Sequence, residues 1–163
     1  MSTLSKRATA PTVEHLERRD LLAAQITASL SAGGLLRIEG TDQDDTIVVR
    51  QIHDEVSVQG ISIDTQSGSE AAVDASSVTR IEVRGLGGDD SIRLSKGTAE
   101  GHQEMNIPAV VWAGTGDDWV WGNVADNLIY GQTGDDSLFG MGGDDTLVGE
   151  DGDDSLWGGS GDD

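Results

Sequence analysis

From Ala113 to Asp163 the chain repeats every nine residues: AGTGDDWVW, GNVADNLIY, GQTGDDSLF, GMGGDDTLV, GEDGDDSLW and a partial GGSGDD. A fixed short period leaves few architectures open, because each unit must stack on its neighbours to bury anything. The fourth position runs Gly116, Ala125, Gly134, Gly143, Gly152, Gly161, and the sixth runs Asp118, Asn127, Asp136, Asp145, Asp154, Asp163. The eighth is aliphatic throughout: Val120, Ile129, Leu138, Leu147, Leu156. A Gly/Asp stretch turns tightly, since Gly accepts positive φ and Asp tolerates it. The three residues that follow, such as Ser137-Leu138-Phe139, form a minimal strand with its middle side chain on one face. Two nine-residue units make one coil, so residues 18 apart stack as neighbouring strands about 4.8 Å apart. The eighth-position side chains then point inward from both sides.

The resulting core is thin, and the carboxylates work against it. Like charges stacked about 4.8 Å apart repel by roughly 1 kcal/mol in water and by several times that near a protein surface. A bound cation is therefore expected. The turns offer carboxylates and backbone carbonyls, with no His or Cys anywhere in residues 113–163. An all-oxygen donor set suits a hard ion, and flexible turns suit Ca²⁺ better than Mg²⁺.

The pattern G-x-x-G-x-D-x-(aliphatic)-x resembles the RTX nonapeptide of the haemolysin-type calcium-binding family. The resemblance implies a parallel β-roll in which the first six residues of each unit bind Ca²⁺ between coils and the last three form the strand. It implies Asp118, Asp136, Asp145, Asp154 and Asp163 as side-chain ligands, with Asn127 offering an amide oxygen. Asn127 and Ala125 depart from the pattern, so the site between Asn127 and Asp145 is expected to be the loosest. There Ala125 would place a Cβ where the turn wants positive φ.

Two turns upstream are copies of the same unit. Gly85-Leu-Gly-Gly-Asp-Asp90-Ser-Ile-Arg fits the nine fully and adds Asp90 to the candidate ligands; Gly40-Thr-Asp-Gln-Asp-Asp45-Thr-Ile-Val has Gln43 in place of the second Gly. Their spacing is five nines, although the residues between do not repeat. Residues 33–112 read as short β-branched strands separated by turn residues; the resemblance implies a solenoid-like lead-in to the array, and the alternative is an independent small β-sandwich. Ala71–Ser77 and Lys96–Asn106 read as excursions from the stack. The final Gly161-Asp162-Asp163 lacks a strand triplet, which predicts an array truncated at this point.

Residues 1–32 differ in character. Lys6, Arg7, Arg18 and Arg19 precede a mildly apolar stretch, Leu21–Leu30, followed by Ser31 and Ala32. That is the order of an export signal. Leu16-Glu-Arg-Arg-Asp-Leu-Leu-Ala23 also resembles the LEPR-xLL type of N-terminal segment on bacterial secreted and surface proteins. A helical or disordered export segment is expected here, and a secreted or cell-surface location for the protein.

The net charge is −20, and residues 113–163 hold thirteen Asp and Glu against no Lys or Arg. This argues against nucleic acid and anionic membranes as partners. No apolar run approaches the length of a membrane span, and the absence of Cys removes disulfides and thiolate chemistry. His15, His53 and His102 lie in unrelated contexts and carry no hydrolase or metalloprotease motif. Asp153-Asp154 lies between strands and has no helix before it, which excludes an EF-hand. No catalytic residue is expected. The ninth position carries Trp121, Tyr130, Phe139, Val148 and Trp157, and the odd-numbered coil faces place Trp121, Phe139 and Trp157 in one outward column. Such a column either stabilises the strands through cross-strand stacking or binds a polysaccharide or protein partner.

The expectation is thus all-β: a calcium-binding β-roll or β-solenoid module over residues 113–163, a strand-rich lead-in over 33–112 and an export segment over 1–32. The alternatives are an accessory module of a secreted protease or lipase whose catalytic part lies elsewhere, or a carbohydrate-binding adhesin.

Overall fold

A computed structural model describes residues 25–96 and 104–163. Most of the export-type segment, residues 1–24, lies outside these residues, as does most of the second excursion. The described chain forms two sheets and no α-helix; the only helical turn is a 3₁₀ segment at Ala75–Ser77.

The array follows from its nine-residue grammar. Strands β10 (Ala109–Thr115), β11 (Trp119–Trp121), β12 (Asn127–Thr133), β13 (Ser137–Gly142), β14 (Thr146–Asp151) and β15 (Ser155–Ser160) alternate between the two sheets. Each pairs in parallel with the strand two places on, at a register of 18: Ile129 opposes Leu147 and Leu138 opposes Leu156. Alternation across each strand sends the eighth-position residue inward. Val120, Ile129 and Leu138 are fully buried, Leu147 is half-buried, and Leu156 at the end of the stack is exposed.

The lead-in continues the same two sheets. Strands β2 (Leu35–Glu39) and β3 (Thr46–Ile52) form one coil, and β8 (Arg80–Gly87) and β9 (Ser91–Lys96) form the next. Ile47 opposes Ile92 at a register of 45, and Ile92 opposes Val120 at a register of 28. The 45-residue spacing of the two upstream turns is therefore structural: the chain leaves the stack after β3 and returns to it at β8.

The sheets are mixed and not closed, so the uniform parallel roll expected from the repeat does not extend through the molecule. Strand β1 (Thr27–Leu30) pairs antiparallel with β2, which brings regular structure in ahead of the boundary expected at residue 32. Its alternation buries Ala28 and exposes Thr27 and Ser29, a strand pattern where the composition had suggested a helix. Strand β4 (Glu55–Val58) folds back antiparallel on β3 and is flanked by β7 (Val73–Asp74). Strands β5 (Ile63–Thr65) and β6 (Gly68–Glu70) make a hairpin at the edge of the other sheet, with β5 beside β1. The first excursion is thus longer than Ala71–Ser77 and widens the lead-in core, where Leu36, Ile38, Ile47, Val49, Val56, Ile63, Ile81 and Leu94 are fully buried. One apolar cluster runs from this lead-in into the array.

Candidate metal centre

The turns between the strands stack in two files along the edges of the sheets. One file holds the sixth-position residues Asp45, Asp90, Asp118, Asp136 and Asp154; the other holds Asn127, Asp145 and Asp163. Backbone hydrogen bonds fix this order. The Asp45 N–H donates to Asp90 Oδ1 at 2.8 Å, Asp90 to Asp118 at 2.7 Å, Asp118 to Asp136 at 2.9 Å and Asp136 to Asp154 at 3.0 Å. In the second file the Asn127 N–H donates to Asp145 Oδ1 at 2.8 Å and the Asp145 N–H to Asp163 Oδ1 at 2.9 Å. Every sixth-position residue named from the sequence lies in one of these files, and Asp90 joins the array across the 28-residue step.

Each carboxylate uses only one oxygen in this way. Oδ2 of Asp90, Asp118, Asp136 and Asp145 is buried without a hydrogen-bond donor, in residues no more than 3% exposed. Around three of these oxygens the space is set by the glycine that opens the turn; the Asp118 turn opens with Ala113 instead. A Cβ built on Gly85 would come within 3.0 Å of both Asp90 Oδ2 and the Ala113 carbonyl oxygen. One on Gly131 would meet Asp136 Oδ2 and the Gly149 carbonyl oxygen, and one on Gly140 would meet Asp145 Oδ2 and the Gly158 carbonyl oxygen. An undonated carboxylate oxygen therefore lies beside a backbone carbonyl of the next coil, with glycine leaving the room between them. Two acceptors cannot satisfy each other, and burying such a group unpaired is costly.

The protonation balance records the same strain. Burial, aided by the neighbouring Asp carboxylates, pushes Asp118 up to about 7 and Asp90 and Asp136 each up to about 6. Burial also raises Asp145. A hard cation is the partner that would satisfy carboxylate and carbonyl oxygens together, so the donor set fits Ca²⁺. Among the described residues no three His, Cys, Asp or Glu side chains converge on one point. The oxygens gather instead as one carboxylate per coil with main-chain carbonyls. Asp154 is half-buried and Asp163 exposed, being nearest the end of the stack.

Three features were missed by sequence reasoning. The fifth position is Asp in every unit, and these exposed carboxylates tie each turn to the following one: Asp135 N–H donates to Asp117 Oδ1, Asp153 to Asp135, Asp144 to Asp126 and Asp162 to Asp144. Asp89 and Asp117 extend the ladder upstream, donating to Asp44 and Asp89 respectively. Its signal was an unbroken Asp column in the repeat. Second, Thr41 closes the first turn by donating its N–H at 2.6 Å and its hydroxyl at 3.1 Å to Asp45 Oδ2. Third, the Ala125 turn takes another conformation. Ala125 is not among the residues at positive φ, unlike Gly116, Gly134, Gly143, Gly152 and Gly161 at the same position. Asn123 holds it there, accepting the Ala125 N–H at 2.8 Å and donating to the Ile107 carbonyl at 2.8 Å. The strain expected at Ala125 is thus absent.

The outward column is present as expected. Phe139 and Trp157 stack at 4.4 Å with ring planes 2° apart, Trp121 and Phe139 at 5.5 Å and 8°, and the Arg93 guanidinium lies 4.5 Å over Trp121. A second column on the other sheet stacks Arg84, Trp112 and Tyr130.

No curated protein and no solved structure matches the chain. A family model does: that of the RTX calcium-binding nonapeptide repeat, in four copies, matches residues 110–138 and 130–163.

Proposed function

We propose that this protein is a calcium-binding structural module of a secreted or cell-surface protein, whose repeat region completes its fold only when Ca²⁺ enters the files of stacked turns. The observation that carries this reading is the row of buried, undonated Oδ2 atoms on Asp90, Asp118, Asp136 and Asp145. The repeat match over residues 110–163 supports it independently. Asp154 and Asp163 extend the two files as further ligands. Asp90 extends the calcium file beyond the matched residues into the lead-in. The module is non-catalytic: its acidic groups are repeated, whereas an acid/base pair needs two carboxylates in contrasting environments.

Carbohydrate binding by the aromatic column has less support. A sugar stacks on ring faces, and the faces of Trp121 and Phe139 are covered by Arg93, by each other and by Trp157. Stacking along the strands accounts for the column.

All four tryptophans, Trp112, Trp119, Trp121 and Trp157, fall within residues 110–163, over which the repeat model matches, so their fluorescence reports on that region. In the full chain, calcium removal is expected to red-shift and weaken the emission, and millimolar CaCl₂ to restore it with a saturable midpoint. Identical emission in chelator and in calcium would contradict the reading.

A further inference from the structure

Asn127 occupies the place in its turn that a sixth-position Asp occupies elsewhere, but it meets its surroundings with a donor. A Cβ on Gly122 would come within 3.0 Å of Asn127 Nδ2 and of the Gly140 carbonyl oxygen, as one on Gly131 would of Asp136 Oδ2 and the Gly149 carbonyl oxygen. The amide nitrogen therefore lies where the undonated carboxylate oxygen lies in the other turns. It faces four oxygens: the Ala125 carbonyl at 2.6 Å, Asp145 Oδ1 at 3.0 Å, the Gly140 carbonyl at 3.3 Å and the Asn123 carbonyl at 3.4 Å. The residue is 3% exposed. Its own Oδ1 is the amide atom left without a donor.

We infer that Asn127 closes the head of the second file without metal, its amide NH₂ taking the place a cation takes further along. An NH₂ group offers two protons to a ring of acceptors and carries no charge that needs neutralising. Turning the amide over would aim Oδ1 at those four oxygens and leave Nδ2 without an acceptor. The first file opens by a different chemistry to the same effect, with Thr41 donating twice to Asp45 Oδ2. Each file thus begins on a row whose atom facing the cation position is satisfied by the chain itself, and calcium sites start one coil further on. This inference rests on the calcium reading of the other rows. It replaces the expectation of a loose calcium site between Asn127 and Asp145.

The test uses the full chain and Asn127→Asp. Isothermal titration with CaCl₂ should show one more Ca²⁺ per chain for the variant, and its melting midpoint should rise more steeply with calcium concentration than that of the wild type. In the calcium-saturated wild type, the Asn127 side-chain NH₂ protons should exchange slowly with solvent. Saturating calcium folds the array of both proteins, so both stoichiometries are read there. Unchanged stoichiometry together with an unchanged calcium dependence of the midpoint, or fast exchange of the wild-type NH₂ in saturating calcium, would overturn the inference. A wild type that binds no calcium at all would overturn the functional reading instead.

Discussion

At the scale of single residues, a glycine that opens a turn matters because of what lies against it. At Gly131 an added methyl would collide with Asp136 Oδ2 and the Gly149 carbonyl oxygen, inside the space assigned to the cation. Gly131→Ala should remove one Ca²⁺ from the stoichiometry and destabilise the calcium-bound chain by roughly 1–3 kcal/mol, the range for overpacking a tight site. Gly33→Ala, where a Cβ meets nothing nearer than 3.9 Å, is the neutral control in the same melts. The second position carries the opposite lesson. Met141 is held at φ 87° with its side chain half exposed, a left-handed conformation that disfavours any residue with a Cβ. Met141→Gly should stabilise by about 0.5–1 kcal/mol and Met141→Ala should not; equal midpoints for the two variants would show that φ is not the issue. The sixth-position ligands were legible in the sequence because they recur. Thr41 and Asn123 were not, since each acts once, at a turn that departs from the pattern.

At the scale of the turn and its file, protonation and calcium compete for the same oxygens. Asp118, Asp90 and Asp136 are pushed up to about 7, 6 and 6 in the fold, above the ordinary carboxylate value of 3.8 that they regain on unfolding. The folded chain without calcium therefore binds more protons than the unfolded one, and its stability falls as pH rises. That stability is fully present below about pH 4 and is lost as pH climbs through 6 to 7. Melting of metal-stripped protein between pH 4.5 and 7.5 should show a midpoint that falls with pH, and saturating calcium should flatten the upper part of the curve. A metal-free midpoint that rises over this range would contradict the burial of these carboxylates. The 18-residue register of the array could be read directly from the nine, because two units close one coil. The 28- and 45-residue registers could not, because their length depends on excursions that obey no period. The 45-residue spacing was visible as a number without a physical meaning until β3 and β9 were seen paired.

Across the whole molecule, the two halves of the stack are held by different forces. The lead-in coils enclose a broad apolar core, widened by β4, β5 and β7, and bury Leu36, Ile38, Val49, Val56, Ile63, Ile81 and Leu94 completely. In the array the interior narrows to single aliphatics, Val120, Ile129 and Leu138, between files of carboxylates. A stack of coils touches mainly its neighbours, so its parts can open separately. All-β structure and an array of stacked turns followed from the sequence; the antiparallel strands of the lead-in did not, because their pairing is set by where the excursion folds back. The most direct test of the account is hydrogen exchange of the full chain, resolved by segment, in chelator and in millimolar CaCl₂. Strands β2, β3 and β8 should stay protected in both conditions, while β11 to β15 exchange freely in chelator and become protected with calcium. Protection of β11 to β15 that is the same with and without calcium would contradict it.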